Sequence, residues 1–191
     1  MKLVLSLLIT SIVILLYSYF SQRNLLKKYR HNAIQAITSH EDMKQTLRTG
    51  LYNRFKREVE QEKEEDPYMF ELFVADVMAS VRGGELFVTK GSGDFGIDIE
   101  EHTPEGLYLG QVKCYGDFNL VGFAPIAIVH SQMIKQGAVG GYVVTTSDFS
   151  PNAYLYARGL NIELINGNQL VELWLQHLDG KREQYDALAF A

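Results

Sequence analysis

A chain of 191 residues with four prolines and sixteen glycines is long enough for one core-bearing domain and too varied for a collagenous or low-complexity protein. Its single cysteine, Cys114, excludes an internal disulfide framework or a cysteine-rich zinc site and fits a reducing compartment. The net charge of −5 is unevenly spread: residues 1–60 carry ten Lys/Arg against four Asp/Glu (+6), residues 61–66 sum to −3, and residues 67–191, with seven basic and fifteen acidic side chains, sum to −8. The last part therefore has no overall attraction for a polyanion, and contact with nucleic acid needs a local basic patch or bound cations.

From Leu3 to Phe20 no residue is charged. Eighteen helical residues span about 27 Å, close to the roughly 30 Å hydrocarbon core of a bilayer. Tyr17, Tyr19 and Phe20 stand at the far end, where interfacial aromatics belong, and Arg23, Lys27, Lys28 and Arg30 follow at once. Residues 1–22 are thus expected to be a single-pass membrane anchor with the C-terminal bulk in the cytoplasm. A cleaved signal peptide is the rival, but no small-x-small site follows the run. Residues 23–66 are polar and proline-free up to Asp66, which reads as a spacer of one or two exposed, charged helices.

Residues 67–191 form the expected domain. Phe70, Phe73, Val74, Val77 and Val81 recur at helical spacing, so 69–81 reads as an amphipathic helix stopped by Gly83-Gly84. Residues 86–88 read as a strand, and 97–100 and 107–115 as a hairpin turning at Thr103-Pro104-Glu105. A helix over 123–136, a strand at 142–144, a helix N-capped by Ser150 with Pro151 in its first turn, a strand at 161–165 and a helix around 170–178 complete the chain. The fold class is α/β with a mixed sheet flanked by helices.

Side chains two apart on a strand share a face, so Gln111 and Lys113 point together while Gly110, Val112 and Cys114 point away. With the hairpin centred between Pro104 and Glu105, paired residue numbers sum to 209, which puts Asp98 opposite Gln111 and diagonal to Lys113. A carboxylate, an amide oxygen and an ammonium then converge. Glu71, on the preceding helix, adds a second carboxylate from the side. Oxygen ligands for a hard divalent cation beside a lysine suit phosphodiester hydrolysis; a cross-strand ion pair of structural value alone is the other reading of Asp98 and Lys113.

Weaker candidates read as structural. His102 sits on the hairpin and His130 in an apolar helix; Cys114 faces the core, Trp174 packs, and Thr145, Thr146 and Ser147 end a strand where hydroxyls cap.

The string Phe70-Glu71-Leu72-Phe73-Val74-Ala75, then Gly91-Ser92-Gly93-Asp94-Phe95-Gly96-Ile97-Asp98-Ile99, then Gln111-Val112-Lys113-Cys114-Tyr115 resembles the catalytic domain of Mrr-type restriction endonucleases of the PD-(D/E)xK nuclease superfamily. Gly141 to Ser150, with Ala153 and Ala157, and Ile162 to Leu170 resemble its second half, so the likeness runs over roughly Tyr68 to Leu173. The resemblance implies a restriction-endonuclease-like core and a Mg²⁺-dependent endonuclease, with Mn²⁺ as a substitute, acting on DNA in defence against foreign DNA. By position it makes Asp98 the central metal ligand, Gln111 the replacement for the usual acid of the E-x-K pair, Lys113 the water-positioning residue and Glu71 the completing ligand. Gly93, Asp94 and Gly96 would form the supporting loop, with Asp94 fixing it. No separate recognition domain is evident, which argues against sequence-specific cutting. Lys135 is the one basic residue of the helix after the QxK strand, so Lys90, Arg158 and the basic spacer are the remaining candidates for DNA contact. Expected partners are DNA and, through residues 3–20, the bilayer, with the nuclease on the cytoplasmic side of a bacterial inner membrane; a homodimer stays open. Two rival functions carry the same fold: a catalytically inactive, tethered DNA-binding or assembly module, and an RNA- or structure-directed nuclease.

Overall fold

The structure is a computed structural model that describes residues 2–56, 67–89 and 95–189; the side chains of 2–11, 13, 67 and 183–189 are outside that description. In chain order the elements are α1 (Lys2–Phe55), α2 (Pro67–Arg82), β1 (Glu85–Val88), β2 (Ile99–Thr103), β3 (Gly106–Lys113), α3 (Ala124–Gln136), β4 (Gly140–Thr145), α4 (Pro151–Ala157), β5 (Ile162–Ile165) and α5 (Gly167–Ala189). Two compact units divide the chain, Met1–Met43 and Lys44–Ala191.

The first unit holds the greater part of α1. Its described apolar side chains, among them Ile14, Leu15, Leu16 and Tyr17, are exposed. Among the described residues no helix is long and apolar enough to cross a membrane. The uncharged run 3–20 falls largely on residues 3–11 and 13, whose side chains lie outside the described set.

In the second unit the strands lie in the order β1-β2-β3-β4-β5, antiparallel for the first three and parallel from β3 to β5. This is the mixed sheet that the alternating elements demand. The hairpin has the counted register: Ile99 pairs with Gly110, Glu101 with Tyr108 and Thr103 with Gly106, each pair summing to 209. Pro104 and Glu105 make its two-residue turn, where the Glu105 amide donates to Thr103 Oγ1 at 3.2 Å. Ser150 caps α4, accepting from the Ala153 amide. All six residues of β4 are buried, as a strand covered on both faces must be.

One core layer joins Phe70, Val74 and Met78 of α2 to Val112, Tyr142, Val144 and, from α5, Leu170 and Val171. The other packs Ile126, Val129 and Met133 of α3 and Ala153 of α4 onto Leu109 and Val143. Two expectations change here. Val81 is 41% exposed and Met78 is buried, because the stripe of α2 on the sheet runs Phe70-Val74-Met78 at four-residue spacing and ends in Arg82, which covers Tyr108 and Tyr142. More consequentially, the helical segment at 44–55 is not solvated spacer: Leu51 is buried in the first layer, with Leu47 and Phe55 against it. Lys44 pairs with Glu172 at 2.5 Å and Arg48 with Asp117 at 2.7 Å, which ties these turns to α5 and to the loop after β3. The expected second helix is a continuation of the first, since no proline interrupts it.

Glu101 is fully buried on β2 with neither carboxylate oxygen hydrogen-bonded; the Arg82 guanidinium lies 3.8 Å away and also pairs with Glu163. Loss of water pushes the Glu101 carboxyl above its usual range, and Arg82 only partly offsets this. The folded chain therefore holds this proton more tightly than the unfolded one. Its contribution to stability is fullest below the ordinary carboxylate pKa and is lost as pH rises through the raised one. Urea unfolding across that window should show a falling free energy in the wild type, and that component of the slope should vanish in Glu101→Gln.

Candidate active site

Asp98 lies one residue ahead of β2, and three backbone contacts set it there. Its amide donates to the Gly110 carbonyl at 2.9 Å, its carbonyl accepts from the Thr89 amide at 3.0 Å, and Thr89 Oγ1 donates to the Ile97 carbonyl at 2.5 Å. The side chain, 9% exposed by residue, accepts the Val112 amide on Oδ2 at 2.6 Å. The carboxylate thus replaces a rung of the hairpin ladder. The same Oδ2 stands 3.8 Å from Lys113 Nζ, at the end of β3. The counted approach of Asp98 to Lys113 is thus present, while the pairing of Asp98 with Gln111 is not, since the ladder ends at Ile99 and Gly110 and the Asp98 amide bonds to that same Gly110.

Gln111 shares the face of Lys113 and is 4% exposed, and its Oε1 has no hydrogen-bond partner. A buried acceptor with nothing to accept from costs about 1–3 kcal/mol, so its persistence calls for another partner. An oxygen ligand beside a carboxylate is what Mg²⁺ takes, and the donor set of Asp98, Gln111 and Glu71 fits such an ion in kind. Among the described residues no group of three His, Cys, Asp or Glu could hold a metal ion.

Glu71 lines a groove with Lys113, Tyr115, Tyr52, Phe55 and Lys56. Tyr52 and Phe55, on α1, were missed in the sequence reading, whereas Lys56, just past its end, belongs to the basic spacer named there. Their signal was present: Leu47, Leu51 and Phe55 recur every four residues and turn the face of α1 that carries Tyr52 toward the sheet.

The segment entering Asp98 is turned by two consecutive left-handed residues, Phe95 (φ 51°) and Gly96 (φ 82°). A non-glycine residue there is uncommon, and such strain gathers at functional sites. The Phe95 ring is exposed, with Lys135 Nζ 4.0 Å from its centre. Of the remaining loop and contact candidates, Lys90, Gly93 and Asp94 lie outside the described residues. Arg158 follows α4 at the edge where β4 and β5 begin, whereas Lys113 pairs with Thr145 at the other end of β4. It does not meet the Asp98 site.

The hydroxyls after β4 also differ from expectation. Thr146 Oγ1 accepts from the Tyr115 amide at 2.9 Å and donates to its carbonyl at 2.7 Å, extending the β3–β4 pairing past Lys113. Thr145, Thr146 and Ser147 are buried, so they serve the sheet and not a phosphate. His102 is exposed against the Phe87 ring, and Cys114 packs on the first core layer.

A Cβ on Gly96 would come 3.0 Å from Ile128 Cγ2 and 3.4 Å from Gln111 Nε2. The left-handed conformation costs about 1–2 kcal/mol for other residues. Gly96→Ala should therefore lower unfolding free energy in urea by at least that amount.

The family model described as a restriction endonuclease, the Mrr catalytic domain, matches residues 62–174. Two solved structures share the fold. The DNA modification-dependent restriction endonuclease AspBHI is 22% identical, with a TM-score of 0.56 over 72% of this chain and 35% of its own. The MspJI restriction endonuclease in complex with a 27-mer oligonucleotide is 23% identical, with a TM-score of 0.53 over 68% of this chain and 30% of its own. The chain thus spans about a third of the length of these enzymes. No curated protein matches it.

Proposed function

Because the chain belongs to the Mrr-type restriction endonuclease family, we propose that its Lys44–Ala191 unit is an endonuclease that hydrolyses DNA phosphodiester bonds with the help of Mg²⁺. One observation carries this reading furthest: on the strand face that Lys113 shares, Gln111 keeps a buried, unpartnered Oε1, while Lys113 itself stands beside the Asp98 carboxylate held by the Val112 amide. Asp98, Gln111 and Glu71 would hold the ion. When bound, it supplies positive charge that draws a phosphate to an acidic domain and eases charge development there.

The chain's own groups do the rest. The Val112 amide holds Asp98 through its Oδ2 and so fixes the carboxylate beside Lys113. Lys113, 27% exposed at the side chain, offers a mobile ammonium that positions the attacking water and neutralises charge on the phosphate oxygens. Gln111 contributes an oxygen without a further negative charge, which makes ion and substrate binding mutually dependent. Defence against foreign DNA is the setting that suits such an activity. An uncharged run at 3–20 followed by four basic residues supports an inner-membrane tether with the nuclease on the cytoplasmic side.

Supercoiled plasmid incubated with the full chain in detergent should be cut with Mg²⁺ and spared with EDTA. Asp98→Ala and Lys113→Ala should each slow cutting by about 100-fold or more, the scale of a lost charge-stabilising group. A folded wild type that cuts nothing with Mg²⁺ or Mn²⁺ would leave the inactive binding module as the better account, and preference for RNA would replace the substrate. Separately, removing residues 2–30 should move the protein from the membrane to the soluble fraction on ultracentrifugation; an unchanged distribution rejects the tether.

A further inference from the structure

The loop between β3 and α3 presents a side chain that folding alone does not explain. Phe118 is fully exposed, at 103% of its reference area. It is nonetheless held on a clamped turn. The Asn119 amide donates to the Gly116 carbonyl at 2.8 Å, closing the turn, and Ser147 Oγ donates to the Asn119 carbonyl at 2.9 Å. On the other flank, Asp117 accepts from Arg48 at 2.7 Å and from Gln45 at 2.9 Å, both on α1. A large apolar ring fixed in water by contacts on both sides is preorganised for a ligand.

The surroundings identify that ligand. Phe118 lines a groove with Thr49, Tyr52, Asn53 and Asn119. Tyr52 also lines the groove of Glu71 and Lys113, so the two run into each other through one ring. That ring lies on the backbone of Gly116, where a Cβ would come 3.2 Å from its Cζ. Lys56 Nζ stands 6.0 Å from the centre of the same ring. Two aromatic rings, amides able to reach a base edge and an ammonium, continuous with a phosphodiester-cleaving centre, match one nucleotide unit: a base to stack and a phosphate to neutralise. A base paired inside a duplex has no free face for two rings.

Resting on the nuclease reading above, we propose that Phe118 and Tyr52 hold an unpaired base of the DNA strand next to the cleaved phosphate, with Lys56 on the neighbouring phosphate. The nuclease then prefers single-stranded or locally opened DNA to relaxed duplex. Tyr52 and Lys56 precede the 62–174 stretch that defines the family, so this preference belongs to the α1 segment joined to the domain.

The test uses the full chain in detergent with Lys113→Ala to stop cutting. An oligonucleotide carrying 2-aminopurine, single-stranded or annealed, is titrated with protein and Mg²⁺. Binding of the single strand should quench the fluorophore. Phe118→Ala should weaken it about tenfold, the typical worth of one stacked base, while Phe118→Trp restores it and duplex affinity stays constant. Phe118 touches no core, so its loss leaves folding intact. Equal affinity of the Ala and Trp variants, or equal loss on both substrates, overturns the proposal. So does a dimer that Phe118→Ala splits in sedimentation without altering DNA binding, which would make the ring a self-contact. If the chain with Lys113 intact cuts plasmid while binding ignores Phe118, only this proposal falls; if it neither cuts nor binds DNA, the nuclease reading falls with it.

Discussion

The hairpin register governs the site. A two-residue turn at Pro104-Glu105 pairs Ile99 with Gly110, and just beyond that pair the Asp98 amide bonds to the Gly110 carbonyl, which brings its carboxylate to Lys113. A slip of one residue would turn Gln111 and Lys113 to the opposite face of β3 and bring Val112 or Gly110 across from the carboxylate. Both faces of the sheet are packed, so a slip would also bury the wrong side chains in both layers. The apolar core and the chemistry are therefore held by the same constraint. The Asp98 carboxylate belongs to it directly, since it takes the Val112 amide in place of a backbone partner.

Buried polar groups without hydrogen-bond partners lie on both sides of this sheet, and their surroundings separate their roles. Gln111 Oε1 sits on the α3 face with the partly exposed Lys113 two residues on. Glu101 and Tyr142 lie on the α2 face. There the Arg82 guanidinium covers the rings of Tyr108 and Tyr142, 5.7 and 5.1 Å from their centres. The Tyr142 ring crosses the backbone of Gly110, and a Cβ there would come 2.3 Å from it. Gly110 thus admits a bulky ring directly behind the strand that carries the site. The pair of Arg82 and Glu101 costs desolvation that its single long contact does not repay in full, so it favours a specified arrangement more than it favours stability.

Charge and architecture are reconciled at α1. A domain of net charge −8 is a poor partner for a polyanion by itself. The last turns of α1 and the residue after it bring Arg48, Arg54 and Lys56 to that unit, and Arg48 fixes Asp117 while Lys56 lines the groove beside Lys113. One helix thus buries Leu51 in the core, clamps the loop that carries Phe118 and adds basic groups next to the site.

By itself the sequence determined the elements of the domain, the mixed sheet, the hairpin register, the cap at Ser150 and the approach of Asp98 to Lys113. These rest on short-range rules: alternation, helical spacing, turn chemistry and counting across a tight turn. The stripe Leu47-Leu51-Phe55 on α1 is written in the sequence, but only the tertiary structure decided that it is buried, because the surface that receives it is built by residues far along the chain. Tertiary structure also exchanged Val81 for Met78 in the core, made Thr146 a link between strands and put Arg158 at the far edge of the sheet. Each of those outcomes depends on a surface or strand built by residues far along the chain, which local pattern does not contain.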